Sequence, residues 1–455
     1  MRSISMWRRF FEMPGWKAPV AVFAAVAVFV VSGCEVPPPV SPPVSPQVSY
    51  PAGQGRVSVD AGAAGFDHLS YAPLADVWAG VDPVESTQPE LVLPAGEYVV
   101  TVYLADSSVY LENVSVEEQE TAVVTPSGGT APFERVLESA SNYVVPLGRG
   151  SYLTYDGGSN PEYGVPGQEA LDPFLSYEAM YSACPADGGK ILLFGDAGPG
   201  VYDTETGEVA PYDTDLMNFS YMGADDFRAT RCVDGAAQFS FGGGLARLSP
   251  TSGELIELEL PPNPGYQASG TGFLDDAWPG YLADANADIT ATVTGNDHYA
   301  SGAEKADPGE LKPSRLFIGE RGREEYRVVE LGRRDDIIEV QLSPAGTKVA
   351  VQADTSISVY DTTTTQLLYT TPAQWTRFAW VDDNRLVYEG EPYTESVLLA
   401  DVANRRAHGL NRANEVGPWT LTGYFDGYLY LTGADSAELE SQGVAEWRGY
   451  RVAIG

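Results

Sequence analysis

One grammar recurs through the later part of this 455-residue chain. A Pro/Asp/Gly-type turn feeds an apolar strand, a second strand ends in Tyr-Asp or its equivalent, and a Thr/Gly turn leads into a last strand. Residues 184–194 (CPADGGKILLF) lead to 201–209 (VYDTETGEV), and residues 232–241 (CVDGAAQFSF) to 246–255 (ARLSPTSGEL). Residues 342–351 (LSPAGTKVAV) lead to 357–361 (ISVYD), with weaker copies from Trp380 and from Tyr424. Four short strands returning roughly every 40 to 50 residues are the mark of a β-propeller blade, which cannot bury its faces without neighbours. The span 131–455 predicts about seven blades, with six or eight also compatible. An insertion obscures the boundaries between Pro261 and Ser314. Ring closure is expected from residues 450–454 pairing with a strand near 142–145.

The segments LSPAGTKVAV…ISVYDTTT and VYDTETGEV resemble the WD-repeat and TolB-like propeller families. That resemblance implies a fold and is nearly silent on function. Asp203, Asp361 and Asp401 each follow an apolar residue at one blade position. An aspartate there caps the next turn by accepting backbone N–H bonds. Paired carboxylates cleaving a substrate are the competing reading, since acids are plentiful.

Residues 55–130 read as a separate small β module. Strand patterns cover residues 56–60, 98–103, 109–116 and 121–125, with LPAGE as a turn into the second. The stretch LPAGEYVVTVYL…VYLENVSVEEQETAVV resembles PEGA-type and carboxypeptidase-regulatory-like β-sandwich modules, which implies a spacer or adhesive platform. Phe66-Asp67-His68 and Ala75-Asp76-Val77-Trp78 depart from that pattern. The expected fold class is therefore all-β, a small β-sandwich module followed by the propeller.

The first 33 residues place Arg2, Arg8, Arg9 and Lys17 before an apolar run ending in Val31-Ser32-Gly33-Cys34. A basic head, a short apolar core and small residues before a cut describe an export signal. The run is shorter than the ~20 residues a spanning helix needs. Cys34 after those small residues resembles the lipobox of bacterial lipoproteins, which implies lipid attachment at Cys34. An ordinary cleaved signal and a retained anchor are the alternatives, and Arg8-Arg9 faintly resembles a twin-arginine signal. Residues 34–54 are proline-rich and suit a polyproline II spacer.

The net charge is −36. This excess disfavours nucleic-acid partners, whose phosphates require basic surface. With Cys34 acylated, Cys184 and Cys232 remain at matching points of adjacent repeats, in the turn before the second strand, and are expected to pair in an oxidising compartment. Two inert thiols or a redox pair are the other readings. Asp284, Asn286 and Asp288 set oxygen ligands at alternate positions, as calcium loops do, but Ile289 and Gly295 stand where such loops carry glycine and a late acid. A polar surface loop is the simpler reading of that run. Asp297, His298 and Glu304 form a further candidate cluster. No GxSxG turn is present, and Gly242-Gly243-Gly244 lies inside a blade. No catalytic residue or cofactor is assigned. The expected function is a membrane-anchored, exported lipoprotein facing the periplasm or cell exterior. Its propeller would bind a protein, peptide or glycan without catalysis. The alternative is a carboxylate-dependent, calcium-assisted hydrolase or lyase at the channel mouth.

Overall fold

The computed structural model describes residues 50–141, 143–155, 161–164, 180–186, 189–195, 198–211, 231–233, 236–241, 244–248, 255–258, 283–294, 314–323, 325–332, 337–373, 377–390, 396–411, 419–434 and 447–455. Within them, seven antiparallel sheets succeed one another; in each the blade's own strands follow chain order, and the last sheet adds the earlier strand Phe133–Leu137 at its edge. Their first strands are Tyr143–Gly148, Met180–Ala186, Arg231–Val233, Ala283–Ala285, Ile337–Leu342, Phe378–Trp380 and Trp419–Phe425. These define blades one to seven. First strands of blades one and two, two and three, four and five, and six and seven lie side by side, and blade seven returns to blade one. Gln238 of blade three bonds Asp284 of blade four, and Trp380 of blade six bonds the Gln341 carbonyl of blade five. The first strands therefore surround the axis of a closed ring.

Stacking explains the strand composition. A middle strand is covered by a neighbouring blade on each face, so it loses period-two alternation and becomes an unbroken apolar run. Ile191, Leu192, Leu193 and Phe194 are all buried, as are Val349, Ala350 and Val351. Outer strands keep the alternation: Tyr326–Gly332 leaves Glu330 exposed and buries Leu331.

The ring closes where the sequence did not place it. Trp447–Ala453 pairs with Phe133–Leu137, setting Gly449 opposite Leu137, Arg451 opposite Glu134 and Val452 opposite Phe133. Arg451 donates to Glu134 through Nε at 2.7 Å and Nη2 at 2.9 Å. Residues 143–148 instead form the first strand of blade one. The reason is burial: Val144, Val145 and Leu147 are inaccessible to solvent, whereas the closing strand is an outer one with Glu134 and Arg135 exposed.

The all-β expectation holds for the amino-terminal region too. Gln54–Val59, Glu90–Pro94 and Thr121–Val124 form one small sheet. Phe66–Pro73, Val84–Ser86, Gly96–Leu104 and Val109–Val116 form the other, and the two enclose Val57, Leu93, Val100, Val102, Val116 and Val124. The departure around residue 75 is a short helix, Leu74–Trp78.

This module does not stand apart from the ring. Val109–Val116 pairs antiparallel with Arg406–Gly409, the outer strand of blade six, making one eight-stranded sheet across both. Asn113 reads the backbone of blade five: its Nδ2 donates to the Thr370 carbonyl at 2.7 Å, and its Oδ1 accepts from Thr370 N–H at 2.9 Å. Trp78 Nε1 donates to the Leu331 carbonyl of blade four at 3.1 Å. Val77, Val99 and Leu111 share one apolar cluster with Ile357, Tyr369, Leu386 and Ala407. The connecting segment then crosses His408 at Gly128, where a Cβ would lie 2.5 Å from the imidazole ring and φ is +114°.

Asn113→Ala strands two buried backbone groups and is expected to destabilise the protein by about 2–3 kcal/mol. Urea unfolding checks this. Module and ring should still unfold in one transition, since their core is common.

Candidate functional site

The two faces of the ring differ. On one face the turns between described strands of a blade are short, as at 149–150, 343–347 and 426–427. At the other end the described strands are separated by longer stretches of sequence, between Pro211 and Arg231, Leu258 and Ala283, Thr294 and Ser314, Glu389 and Val397, Gly409 and Trp419, and Ala434 and Trp447. Loops carried on a rigid scaffold are where binding residues concentrate. This loop-bearing face is the candidate site, and its axial rim is described at the junction of blades six, seven, one and two.

Glu389 ends the second strand of blade six, beside Arg377, which precedes the first strand. A Glu389 carboxylate oxygen accepts the N–H of Leu421 on blade seven. Arg377 crosses to blade one, where its guanidinium donates to the Tyr143 hydroxyl and lies 4.3 Å from the Tyr143 ring centroid. Tyr143 packs on Tyr155 with centroids 5.0 Å apart. Tyr155 in turn meets Ser182 and Ala183 on blade two. Blade seven also reaches blade one directly, Thr422 Oγ1 accepting Val144 N–H at 2.9 Å.

Burial sets the electrostatics of this rim. Desolvation pushes the Glu389 carboxyl up to about 7, against the Leu421 amide bond and the Arg377 charge. Desolvation likewise pushes the Tyr155 phenol up to about 12, with Arg377 opposing. The charge acting on Glu389 among the described residues is that of Arg377, and no second carboxylate contributes. Cleavage of a glycoside normally needs two carboxyl groups about 5–9.5 Å apart.

The residues singled out in the sequence are distributed elsewhere. Asp203 Oδ1 accepts from Glu205 and Thr206 N–H at 2.8 and 3.0 Å, and Asp361 Oδ1 from Thr363 and Thr364 N–H at 2.9 and 2.7 Å. Asp401 Oδ1 accepts Asn404 N–H at 3.1 Å. All three cap turns on the short-turn face. The amide bonds, from Thr206 foremost and from Thr364 foremost, hold Asp203 and Asp361 below the usual carboxylate range.

Asp284 is no part of a surface loop. It is buried in the first strand of blade four, where Oδ1 accepts from Gln238 Nε2 of blade three at 2.6 Å and from Ala285 N–H at 2.8 Å. Its Oδ2 accepts Leu342 N–H of blade five at 2.6 Å. Asn286 Oδ1 caps its own turn, accepting Asp288 and Ile289 N–H at 3.0 and 2.9 Å. A calcium ion would have to displace these donors. No group of three or more His, Cys, Asp or Glu side chains suited to a metal occurs among the described residues.

Cys184 is fully buried in the first strand of blade two, and Cys232 lies in the first strand of blade three. Both are thus within strands, not in the turn that follows. The Cys232 side chain, Cys34, Asp297, His298 and Glu304 lie outside the described residues. Sequence reading missed Glu389, Arg377 and Tyr143, which form no motif. Their one shared signal is position, flanking or ending blade strands at the loop-bearing end.

No protein-family profile matches the chain, and no curated protein matches it. Solved structures similar to it include PorZ, a surface component of the type-IX secretion system of Porphyromonas gingivalis, at 12% identity and a TM-score of 0.41. That match covers 71% of this chain and 39% of PorZ, so this chain spans about two fifths of it. A chain of the mitotic checkpoint complex matches at 11% identity and a TM-score of 0.34, covering 69% of this chain and 81% of that one. The β-propeller domain of Cps50 (Swd1) from Myceliophteria thermophila matches at 12% identity and 0.36, covering 71% and 99%. The propeller assignment rests on the strand order and register above.

Asp284→Ala leaves three N–H donors facing a void and is expected to destabilise the ring by about 3 kcal/mol or more. Added calcium or a chelator should leave the melting temperature of the native protein unchanged. A calcium-dependent rise that vanishes in Asp284→Ala would restore the metal reading.

Proposed function

We propose that this chain is a membrane-anchored, exported binding module whose loop-bearing propeller face holds a protein, peptide or glycan partner. The observation that carries this reading is the asymmetry of the ring, with short turns on one face and the long connections on the other. Connections 212–230, 259–282 and 435–446 together carry eleven acidic residues and one basic residue, Arg228. Such a balance favours a partner presenting basic or hydrogen-bond-donating groups and repels nucleic acid. Turnover at Glu389 is less well supported, because among the described residues no second carboxyl acts on it, and hydrolysis of a glycoside uses two.

The anchor belongs to the same proposal. Cys34 carries the lipid, and the proline-rich stretch 34–54 supplies the spacer. Its last residues, Tyr50–Gln54, already join the folded part, which is presented to the periplasm or cell exterior. Cys184 and Cys232 form a disulfide between blades two and three. The side-by-side packing of Met180–Ala186 against Arg231–Val233 supports it. Closing a loop of that length contributes up to about 4 kcal/mol in the chain-entropy model.

Replacing 212–230 and 259–282 by short Gly-Ser connections should abolish crosslinking to the native envelope partner while leaving unfolding cooperative. Reversing charge on the short-turn face, as in Glu205→Lys, should leave crosslinking intact. The opposite pattern would move the site to the other face. Cys34→Ala should shift the protein from the membrane to the soluble fraction, and unchanged partitioning would remove the anchor. Denaturation without reductant should expose no free thiol in the Cys34→Ala protein, whereas two titratable thiols would refute the bridge.

A further inference from the structure

The amino-terminal module receives the chain at one strand and passes it to the ring at another, and the placing of those strands decides how a pull travels. Gln54–Val59 is the middle strand of its three-stranded sheet. It pairs antiparallel with Glu90–Pro94 and parallel with Thr121–Val124. Bonds continue to both its ends: Arg56 N–H donates to the Glu120 carbonyl at 2.8 Å, Val59 N–H to the Pro89 carbonyl at 2.8 Å, and Asp60 N–H to the Val124 carbonyl at 2.9 Å. Val57 is wholly buried, and Arg56 pairs with Glu90 across the ladder.

The direction of this strand follows from its parallel neighbour. Thr121–Val124 starts just past the turn 117–120, where Val109–Val116 ends. Three residues after it, the Ser127 hydroxyl accepts from Arg406 Nη1 of blade six at 3.5 Å. Both strands therefore run from the end where the chain enters toward the seam with the ring. A force on Tyr50 directed away from that seam acts along Gln54–Val59. The ladder bonds on both edges then carry it together, and none can be peeled ahead of the rest. The exit is equally broad, since Val109–Val116 pairs with Arg406–Gly409 and Asn113 bonds the Thr370 backbone twice.

A turn fastens the entry. Gln119 Nε2 donates to the carbonyls of Tyr50 and Pro51 at 2.8 and 3.1 Å, and its Oε1 accepts Tyr50 N–H at 3.0 Å. Glu118 Oε1 accepts Gly53 N–H at 2.8 Å, and Gln119 N–H donates to the Gln54 carbonyl at 2.9 Å. The Tyr50 and Thr121 hydroxyls meet at 3.1 Å. Gln119 makes these bonds from the left-handed region, at φ +62°, which a side chain enters only at a cost. We infer that the module is a shear coupling that takes tension from the tether lengthwise on Gln54–Val59 and delivers it through Val109–Val116 to blade six. Gln119 is the positioning residue that keeps the entering backbone in line with the strand. This rests on the anchor proposed above, which supplies the tether.

Force spectroscopy on the full chain carrying Cys34→Ala tests the coupling without lipid. One handle sits on blade two at Glu205, the other at residue 49 or at Gln88, beside the edge strand Glu90–Pro94. The length released identifies opening of the module. Because forced opening follows the unfolding barrier, opening from residue 49 should need about twofold more force than peeling from Gln88. Gln119→Ala should lower the force from residue 49 and leave that from Gln88 unchanged. Equal or smaller force from residue 49 than from Gln88 would overturn the inference. So would a Gln119→Ala protein whose two forces are both unchanged or fall alike. Membrane partitioning is a separate readout, so failure of the anchor and failure of the coupling are told apart.

Discussion

A ring of blades is only as stable as the place where its two ends meet. Here that place is the pairing of Phe133–Leu137 with Trp447–Ala453, locked by the two-pronged bond from Arg451 to Glu134. Arg451 also lies over the Tyr428 ring at 4.7 Å, which joins the latch to the turn of the preceding hairpin. The exposed ion pair contributes little by itself. Its role is register: with Arg451 opposite Glu134, Val452 falls into the core beside Leu429 and Leu431. A one-residue slip would turn that apolar face outward.

The closing strand arrives from the module, and the module is itself fastened to the ring. Between Val109 and Leu137 the chain first extends the outer edge of blade six and then completes blade seven. Blade six and blade seven, which carries the closure, are thus held by one continuous stretch of polypeptide. Asn113 and Trp78 extend the grip to blades five and four through backbone contacts that sequence change on the ring would scarcely disturb. The module covers the outer edge of blade six, which would otherwise offer a free strand edge to other chains. It is a structural part of the propeller as much as a spacer before it.

The repeat was readable because blade strands obey local rules. Apolar runs between Pro/Asp/Gly turns fall on the middle strands, and Asp203, Asp361 and Asp401 cap the turns as their position implies. Long-range pairing was not readable in the same way. Residues 143–145 and 133–137 are both short and β-prone, and only the burial of Val144 and Val145 within the ring decides which is the inner strand and which the latch. The seam with blade six is likewise invisible, since Val109–Val116 looks like any sandwich strand. Asp284 misled because alternate oxygen-bearing residues suit both a metal loop and a strand whose carboxylate staples neighbours. Glu389 and Arg377 flank one hairpin but carry no motif, and Tyr143 is distant in the chain, so folding alone brings it to them.

Residues 133–137 close the ring. The direct measurement is amide exchange across Tyr428–Ala434 and Trp447–Ala453 in a chain beginning at residue 138, compared with one beginning at residue 50. The predicted result is loss of protection in both strands and a ring that no longer unfolds cooperatively. Full protection of Trp447–Ala453 in the shorter chain would show that another strand closes the ring and would contradict the architecture described above.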